Sequence, residues 1–259
     1  MPEGDTIRTA ANRVSGALIG REIESIETPH PRFGKDRWPE KLAGHSVRAV
    51  DAHGKHLMIR FDGGLTIHSH LRMTGAWGVY PRGGRWHRGP HRAWLVIRTA
   101  DSEVVQFDGP VLELMTDGRT RFDPRITQLG PDVLADEFDE AAFIRRLRED
   151  DQTRALGDAL LDQRIVAGIG NMWKAEGFWR AQLDPWRRLR DVSDDEALAV
   201  IHAVRPPMQE SVEAGFPKSE TLFAYKRSGT PCPRCGTKIR ARGQGDDNRT
   251  TYWCPGCQR

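Results

Sequence analysis

Apolar residues at Ile7, Ala10, Ala11, Val14 and Leu18 recur at three- and four-residue spacing, which predicts one amphipathic helix over residues 5–19. Asp5 or Thr6 is placed to cap its start, and Gly20 to end it. A helix this close to the terminus would tie down residues that otherwise fray. From about Val47 the period drops to two. HLMIRF and LTIHSH read as strands joined at Asp62-Gly63-Gly64, and AWLVIRT and EVVQF as strands paired across Ala100-Asp101-Ser102. This alternation predicts a β-rich domain, a sandwich or flattened barrel, reaching to about Met115. Asp117 to Asp136, containing Asp123-Pro124 and Leu129-Gly130-Pro131-Asp132, reads as a linker. Helical spacing then returns at Glu140 and continues to about Gly215, with breaks expected at Gly168/Gly170, Asp184-Pro185 and Pro206-Pro207. The fold class expected from this order is α+β.

The last 31 residues carry no long period but a strict spacing. All four cysteines lie there, as Cys232-x2-Cys235 and Cys254-x2-Cys257, with eighteen residues between the pairs. Each pair can wrap two thiolates around one tetrahedral ion, and two such knuckles complete a closed, structural zinc site. Pro233 and Gly236 at the first knuckle, and Pro255 and Gly256 at the second, suit tight turns. Two disulfides are the alternative use of the same four residues.

Charge changes the picture at that end only. The chain of 259 residues has 39 Lys+Arg against 36 Asp+Glu, a net +3. Residues 218–259 hold nine basic and three acidic side chains, so residues 1–217 are net negative. A basic module at one end of a nearly balanced chain points to a polyanion, most simply nucleic acid. With 38% hydrophobic residues the chain can bury a core, divided into two domains plus the ribbon. No apolar run approaches eighteen residues, so no membrane span is expected. The opening MPEGDTIR has no secretory pattern, and cysteines used only at metal spacing fit a reducing compartment. The expected location is cytoplasmic and nucleoid-associated, and the expected state is a monomer.

Within the helical region, Val166-Ala167-Gly168-Ile169-Gly170-Asn171 joins two short helices. Glycines at a helix start let backbone N–H groups approach a phosphate, and Asn171 adds a side-chain donor. The same turn also serves as plain connection geometry. His68 and His70 share one strand face but have no third ligand placed with them, so a second metal site is not expected.

Four separated motifs line up: Pro2-Glu3-Gly4-Asp5, His53-Gly54-Lys55-His56, Gly168-Ile169-Gly170-Asn171, and the ribbon with Arg249 five residues before Cys254. Together, over nearly the whole chain, they resemble the formamidopyrimidine-DNA glycosylase / endonuclease VIII family of base-excision repair enzymes. The opening PEGDT is similar to the endonuclease VIII branch, and within it to the second actinobacterial-type group. The resemblance implies an N-terminal catalytic β-sandwich with an N-terminal helix (residues 1–123), a linker (124–138), a helix-two-turns-helix DNA-binding domain (139–228) and a four-cysteine zinc finger (229–259).

It also implies roles. Pro2, once Met1 is removed, would present a secondary amine that attacks the sugar C1′ without a separate base, provided it is unprotonated. Glu3 would handle protons at the sugar as general acid. Lys55 corresponds to the family lysine that contacts phosphate and assists β-elimination, Arg249 to the finger arginine that assists δ-elimination, and Asn171 to the phosphate-binding asparagine. Ser69 to Gly75 aligns with the wedge loop, where Met73 would fill the gap left by a flipped base and Arg72 would reach a phosphate or base edge. The implied activity is bifunctional DNA glycosylase/AP lyase on damaged DNA, with single-stranded and bubble DNA left open as substrates. A non-catalytic lesion binder of the same fold is the alternative.

Three departures bear on specificity. The loop Asp108-Gly109-Pro110-Val111-Leu112 lacks the Arg-x-Phe pair of the purine-lesion branch. The stretch between Gly215 and Thr221 is short for a loop that covers an oxidised purine. Gln128 stands where a linker arginine is expected, with Arg125 nearby as a substitute. Oxidised pyrimidines are therefore the expected substrates.

Overall fold

The computed structural model describes residues 2–33, 36–215 and 222–259. It divides into two compact units, the first being Pro2 with Ile7–Thr127 and the second Glu3–Thr6 with Gln128–Arg259. The first turn of the leading helix thus belongs to the second unit, and the rest of that helix to the first.

The first unit contains most of α1 (Gly4–Leu18), then β1 (Ser25–Glu27), α2 (Trp38–Leu42), β2 (Val47–His53), β3 (His56–Phe61), β4 (Leu65–His70), β5 (Ala76–Pro81), β6 (Ala93–Arg98), β7 (Ser102–Phe107) and β8 (Val111–Thr116). Two four-stranded antiparallel sheets form, in the orders β1-β6-β7-β5 and β2-β3-β4-β8. Leu57, Ile59, Phe61 and Ile67 from one sheet pack into one core with Leu95, Ile97 and Val104 from the other. Ile7, Ala11, Val14 and Leu18 of α1 join that core, so the helical and two-residue periods address the same apolar interior. Both strand pairs expected from the pattern are present. The helix begins one residue earlier than its spacing indicated. Asp5 does not cap it: its Oδ2 accepts from Ser211 Oγ at 2.6 Å. The start is held instead by the Gly4 N–H, which donates to the Gly168 carbonyl at 2.8 Å.

The span expected to be a linker carries two short helices, α3 (Asp117–Phe122) and α4 (Pro124–Thr127). Thr116 caps α3 by accepting from the Arg119 N–H, a local signal that a loop reading passes over.

In the second unit follow α5 (Glu140–Glu149), α6 (Leu156–Ala159), α7 (Asn171–Ala181), α8 (Asp194–Ala214), β9 (Arg240–Gln244) and β10 (Arg249–Trp253). Phe143, Leu147, Leu156, Trp173, Phe178, Val200, Ile201 and Val204 form its core. The break expected at Pro206-Pro207 does not occur, and α8 continues through both prolines to Ala214. Each interior proline costs about 3 kcal/mol or more. A Ser193/Glu196 capping box and the buried face of Ala197, Val200, Ile201, Val204 and Met208 offset that cost, at about 1.5–3 kcal/mol per large apolar side chain. No helix among the described residues is long and apolar enough to cross a membrane. The short stretch after Gly215, expected to lack a covering loop, lies outside the described residues.

Candidate active site and nucleic-acid interface

At the start of α7 the Gly168-Ile169-Gly170-Asn171 turn does not face outward. The buried Glu3 carboxylate occupies it, accepting from the N–H groups of Gly170 at 3.0 Å, Met172 at 2.7 Å and Trp173 at 3.1 Å. An anion at a helix N-terminus satisfies otherwise unpaired donors and the helix dipole together. The Gly168 N–H donates to Gln163 Oε1 at 3.0 Å. The expectation that Gly168 and Gly170 lend these donors to a phosphate is therefore corrected, because the protein's own side chains already use them. Both glycines are required for a different reason. Gly168 has φ +102°, and a Cβ on Gly170 would collide with the Glu3 carboxyl group.

The donor of Asn171 is also engaged. Its Nδ2 donates to the Thr250 carbonyl of β10 at 2.6 Å, and Lys174, one turn further along α7, donates to Thr251 Oγ1 at 2.7 Å. Thr251 passes the chain on to Gln244 Oε1, whose amide donates to the Pro185 carbonyl. These bonds fix β10 on α7, and Arg249 opens that strand beside a cleft of about 300 Å³ that Arg154, Asp158, Gln163 and Asp247 also line. Burial pushes the Lys174 ammonium down to about 7, and the nearby Arg249 charge acts in the same direction. Glu176, fully buried, accepts from the backbone N–H groups of Phe223, Ala224 and Tyr225 and from Arg180. Neither Lys174 nor Glu176 was singled out from sequence. Both sit in an ordinary helical pattern, and apart from Arg180 their partners lie 47 to 77 residues away.

The four cysteine Sγ atoms lie within 4.8 Å of one another. Cys232 and Cys257 are 3.9 Å apart and Cys235 and Cys254 3.4 Å, well beyond a disulfide bond of about 2.05 Å. Tetrahedral thiolates at about 2.3 Å from one ion would be about 3.8 Å apart, so the donor set fits a single ion. Trp179 Nε1 donates to Cys232 Sγ at 3.3 Å and Arg234 Nη1 approaches Cys257 Sγ at 3.7 Å, an outer layer that fixes two of the sulfurs.

In the first unit Lys55 sits at the β2–β3 turn, where Gly54 has φ +57° and His53 pairs with His56. The histidines differ from expectation, since His56 reaches the face of His68 and His70 from the neighbouring strand. His56 Nδ1 and His68 Nε2 are 2.8 Å apart in near-parallel rings, and His70 meets His56 edge-on. Burial drives His56 down to about 2 and His70 to about 4, so the group is neutral at pH 7. Among the described residues, only the cysteines group as metal ligands.

Met73 is 64% exposed, so it is not core filler, and Arg72 beside it has φ +49°. Arg125 does not stand free to replace the missing linker arginine. Its guanidinium is bound by both carboxylate oxygens of Asp123 and by Glu113 at 2.7 Å. Gln128 is exposed, and its carbonyl accepts from Arg146.

A β-sandwich, a helical domain with its two-turn motif and a four-cysteine hairpin, each bearing the expected residues, define a class, and comparison with known proteins agrees. The profile described as formamidopyrimidine-DNA glycosylase N-terminal domain matches residues 1–125, and the one described as formamidopyrimidine-DNA glycosylase H2TH domain matches residues 129–222. The chain belongs to the formamidopyrimidine-DNA glycosylase / endonuclease VIII family, in its endonuclease VIII branch. It is 39% identical to a probable endonuclease 8 2 of Streptomyces coelicolor, over 100% of this chain and 94% of the relative. It is 35% identical to the DNA-(apurinic or apyrimidinic site) lyase Nei2 of Mycolicibacterium smegmatis, over 100% and 99%. A solved structure of Lactococcus lactis Fpg with DNA containing N7-benzyl-Fapy-dG superposes with a TM-score of 0.83 at 24% identity, covering 100% of both chains.

Proposed function

We propose that this protein is a bifunctional DNA glycosylase/AP lyase that removes oxidised bases, pyrimidines above all, and cleaves the strand by β,δ-elimination. The observation that carries the reading is the Glu3 carboxylate, held by three backbone N–H groups at the start of α7 and covalently next to Pro2. A proton-transferring group needs a fixed position before it needs strength, and this carboxylate cannot swing away. With Met1 removed, the Pro2 amine attacks the sugar C1′, the base departs, and a cationic iminium remains that makes the neighbouring sugar protons acidic. Lys55 binds phosphate and assists β-elimination, and Arg249 assists the δ step. The activities named for its relatives support this assignment.

The partner is damaged DNA, bound by a monomer. Asn171 contributes to that interface chiefly by seating β10, and with it Arg249, while Arg72 and Met73 enter at the flipped base. One zinc ion suits Cys232, Cys235, Cys254 and Cys257, where it would hold the two knuckles together without taking part in the reaction. The loop after β7 offers Asp108-Gly109-Pro110 in place of an Arg-x-Phe pair, which favours lesions that stack poorly and need little reading of the opposite base.

The test is borohydride trapping on oligonucleotides carrying an abasic site, thymine glycol or 8-oxoguanine opposite cytosine. Processed protein should cross-link to the abasic strand, while protein retaining Met1 should not. Thymine glycol should be cut faster than 8-oxoguanine in single turnover. Equal trapping by the unprocessed form would remove Pro2 from its role, and duplex binding with no trapping at all would favour the non-catalytic reading.

A further inference from the structure

Three connections of the first unit meet at one carboxylate. The sheet order places β7 between β6 and β5, and Phe107 at the end of β7 pairs with both Ala76 and Ala93. The loop before β5, the connection into β6 and the loop after β7 are therefore brought to one sheet end. Arg88, from the connection between β5 and β6, donates from Nη1 to the Thr74 carbonyl at 2.8 Å and to Asp108 Oδ2 at 2.7 Å. Arg92 reaches the same Asp108 oxygen at 2.6 Å. Thr74 Oγ1 donates to the Asp108 carbonyl at 3.2 Å, and the Asp108 N–H donates to the Arg92 carbonyl.

The strap ends one residue from Met73. The loop is rooted by Leu71, 2% exposed, and by the Gly75 N–H, which donates to the Leu71 carbonyl at 2.9 Å. Between these roots Arg72 and, across the strap, Asp108 both take left-handed backbone conformations at φ +49° and +46°. Non-glycine residues stay there only when their surroundings over-determine them. The Arg88 and Asp108 side chains are 23% and 21% exposed, so solvent screens their pairing only in part. An apolar plug that must keep a base stack open has to resist being pushed back, and a charged strap on the adjacent carbonyl supplies that stiffness.

We infer that Arg88 is a positioning residue for base extrusion: by locking the Thr74 carbonyl to Asp108 it holds Met73 as a rigid plug in the gap left by the flipped base. An arginine from the β5–β6 connection thus serves a wedge loop for which the connection after β7 supplies a carboxylate. This inference rests on the glycosylase reading above.

The experiment compares base excision with abasic-site cleavage in the same duplex sequence, using 5,6-dihydrouracil as the lesion and 2-aminopurine beside it to report unstacking. An abasic site presents no base to extrude, so loss of the plug should lower the ratio of excision to abasic cleavage. Arg88→Ala should lower that ratio about tenfold or more and reduce the 2-aminopurine rise. Met73→Ala should shift both readouts the same way, the double variant should be no worse than the poorer single one, and Arg88→Lys should restore part of the ratio. An unchanged ratio, whether both reactions slow together or neither slows, overturns the inference, as do additive effects of Arg88→Ala and Met73→Ala. A wild-type protein that neither traps abasic DNA nor excises a base would instead sink the glycosylase reading beneath it.

Discussion

In the first unit Met73 is 64% exposed and Lys55 sits on a two-residue turn, whereas in the second Glu3, Asn171 and Lys174 are 1%, 7% and 1% exposed. The sandwich presents Met73 and Lys55 on loops and turns, although it also buries polar side chains such as His56, His68 and Gln106. The helical unit buries polar groups and satisfies them with backbone donors and hydroxyls. Turn residues of the first kind can change with little effect on folding. A buried acceptor such as Glu3 couples function to stability, because its removal strands the N–H donors it satisfies.

The largest effect should come from the ribbon, which has little core of its own. Stripping metal with a strong chelator should lower duplex affinity on the order of 100-fold or more while the helical core persists, since the ribbon's order depends on the ion. Elemental analysis, fluorescence anisotropy and far-ultraviolet circular dichroism would check this. Full affinity without metal would remove the ribbon from the buried, coupled class.

Glu176→Ala should destabilise the protein by about 3–5 kcal/mol, because three backbone N–H groups and Arg180 lose their common acceptor. Lys55→Ala should stay within about 0.5 kcal/mol of the parent in urea unfolding. Its lyase rate should nevertheless fall about 100-fold. Similar unfolding midpoints for the two variants would erase the contrast between the units.

Lys174 sharpens the comparison through pH. Its folded value is lowered from 10.5 to about 7, so between these values the unfolded chain binds more protons and stability rises with pH. Below about pH 7 both states are charged and the burial penalty is fully present. Lys174→Met should therefore stabilise the protein by on the order of 2–4 kcal/mol at pH 6, with the difference shrinking toward pH 10.5. Denaturation at both pH values measures this, and a gap that widens with pH would contradict the assignment.

Arg249→Ala should give the smallest shift in binding, with the salt slope reduced by about 1. Abasic-strand cleavage should stop at the β-elimination product. Gel analysis of the products decides it, and undiminished δ-product would free Arg249 of its role.

Much of this arrangement was legible in the sequence because the relevant physics is local. The 7, 10, 11, 14, 18 spacing marks a helix face, alternation marks HLMIRF and LTIHSH, and paired Cys-x2-Cys spacing marks a metal-binding hairpin. Pro206-Pro207 misled, because local proline chemistry favours a break that the capping box and the buried face of α8 outweigh. Gly168 and Gly170 were noticed for a real reason, the close approach of an anion to a helix start. The anion proved to be Glu3 of the same chain.

The sequence by itself determined the order of the β-rich, helical and cysteine-bearing regions, the four cysteines, and the residue types at Pro2, Glu3, Lys55 and Arg249. Tertiary structure alone decided which groups are spent holding others: Glu3 on the α7 donors, Asn171 and Lys174 on β10, His56 against His68, and Arg88 on Thr74 and Asp108. The physical reason is range. Periodicity and turn chemistry act over a few residues and leave a mark in the string, whereas a hydrogen bond has much the same length, 2.9 or 3.1 Å, whether its partners lie 2 or 170 positions apart.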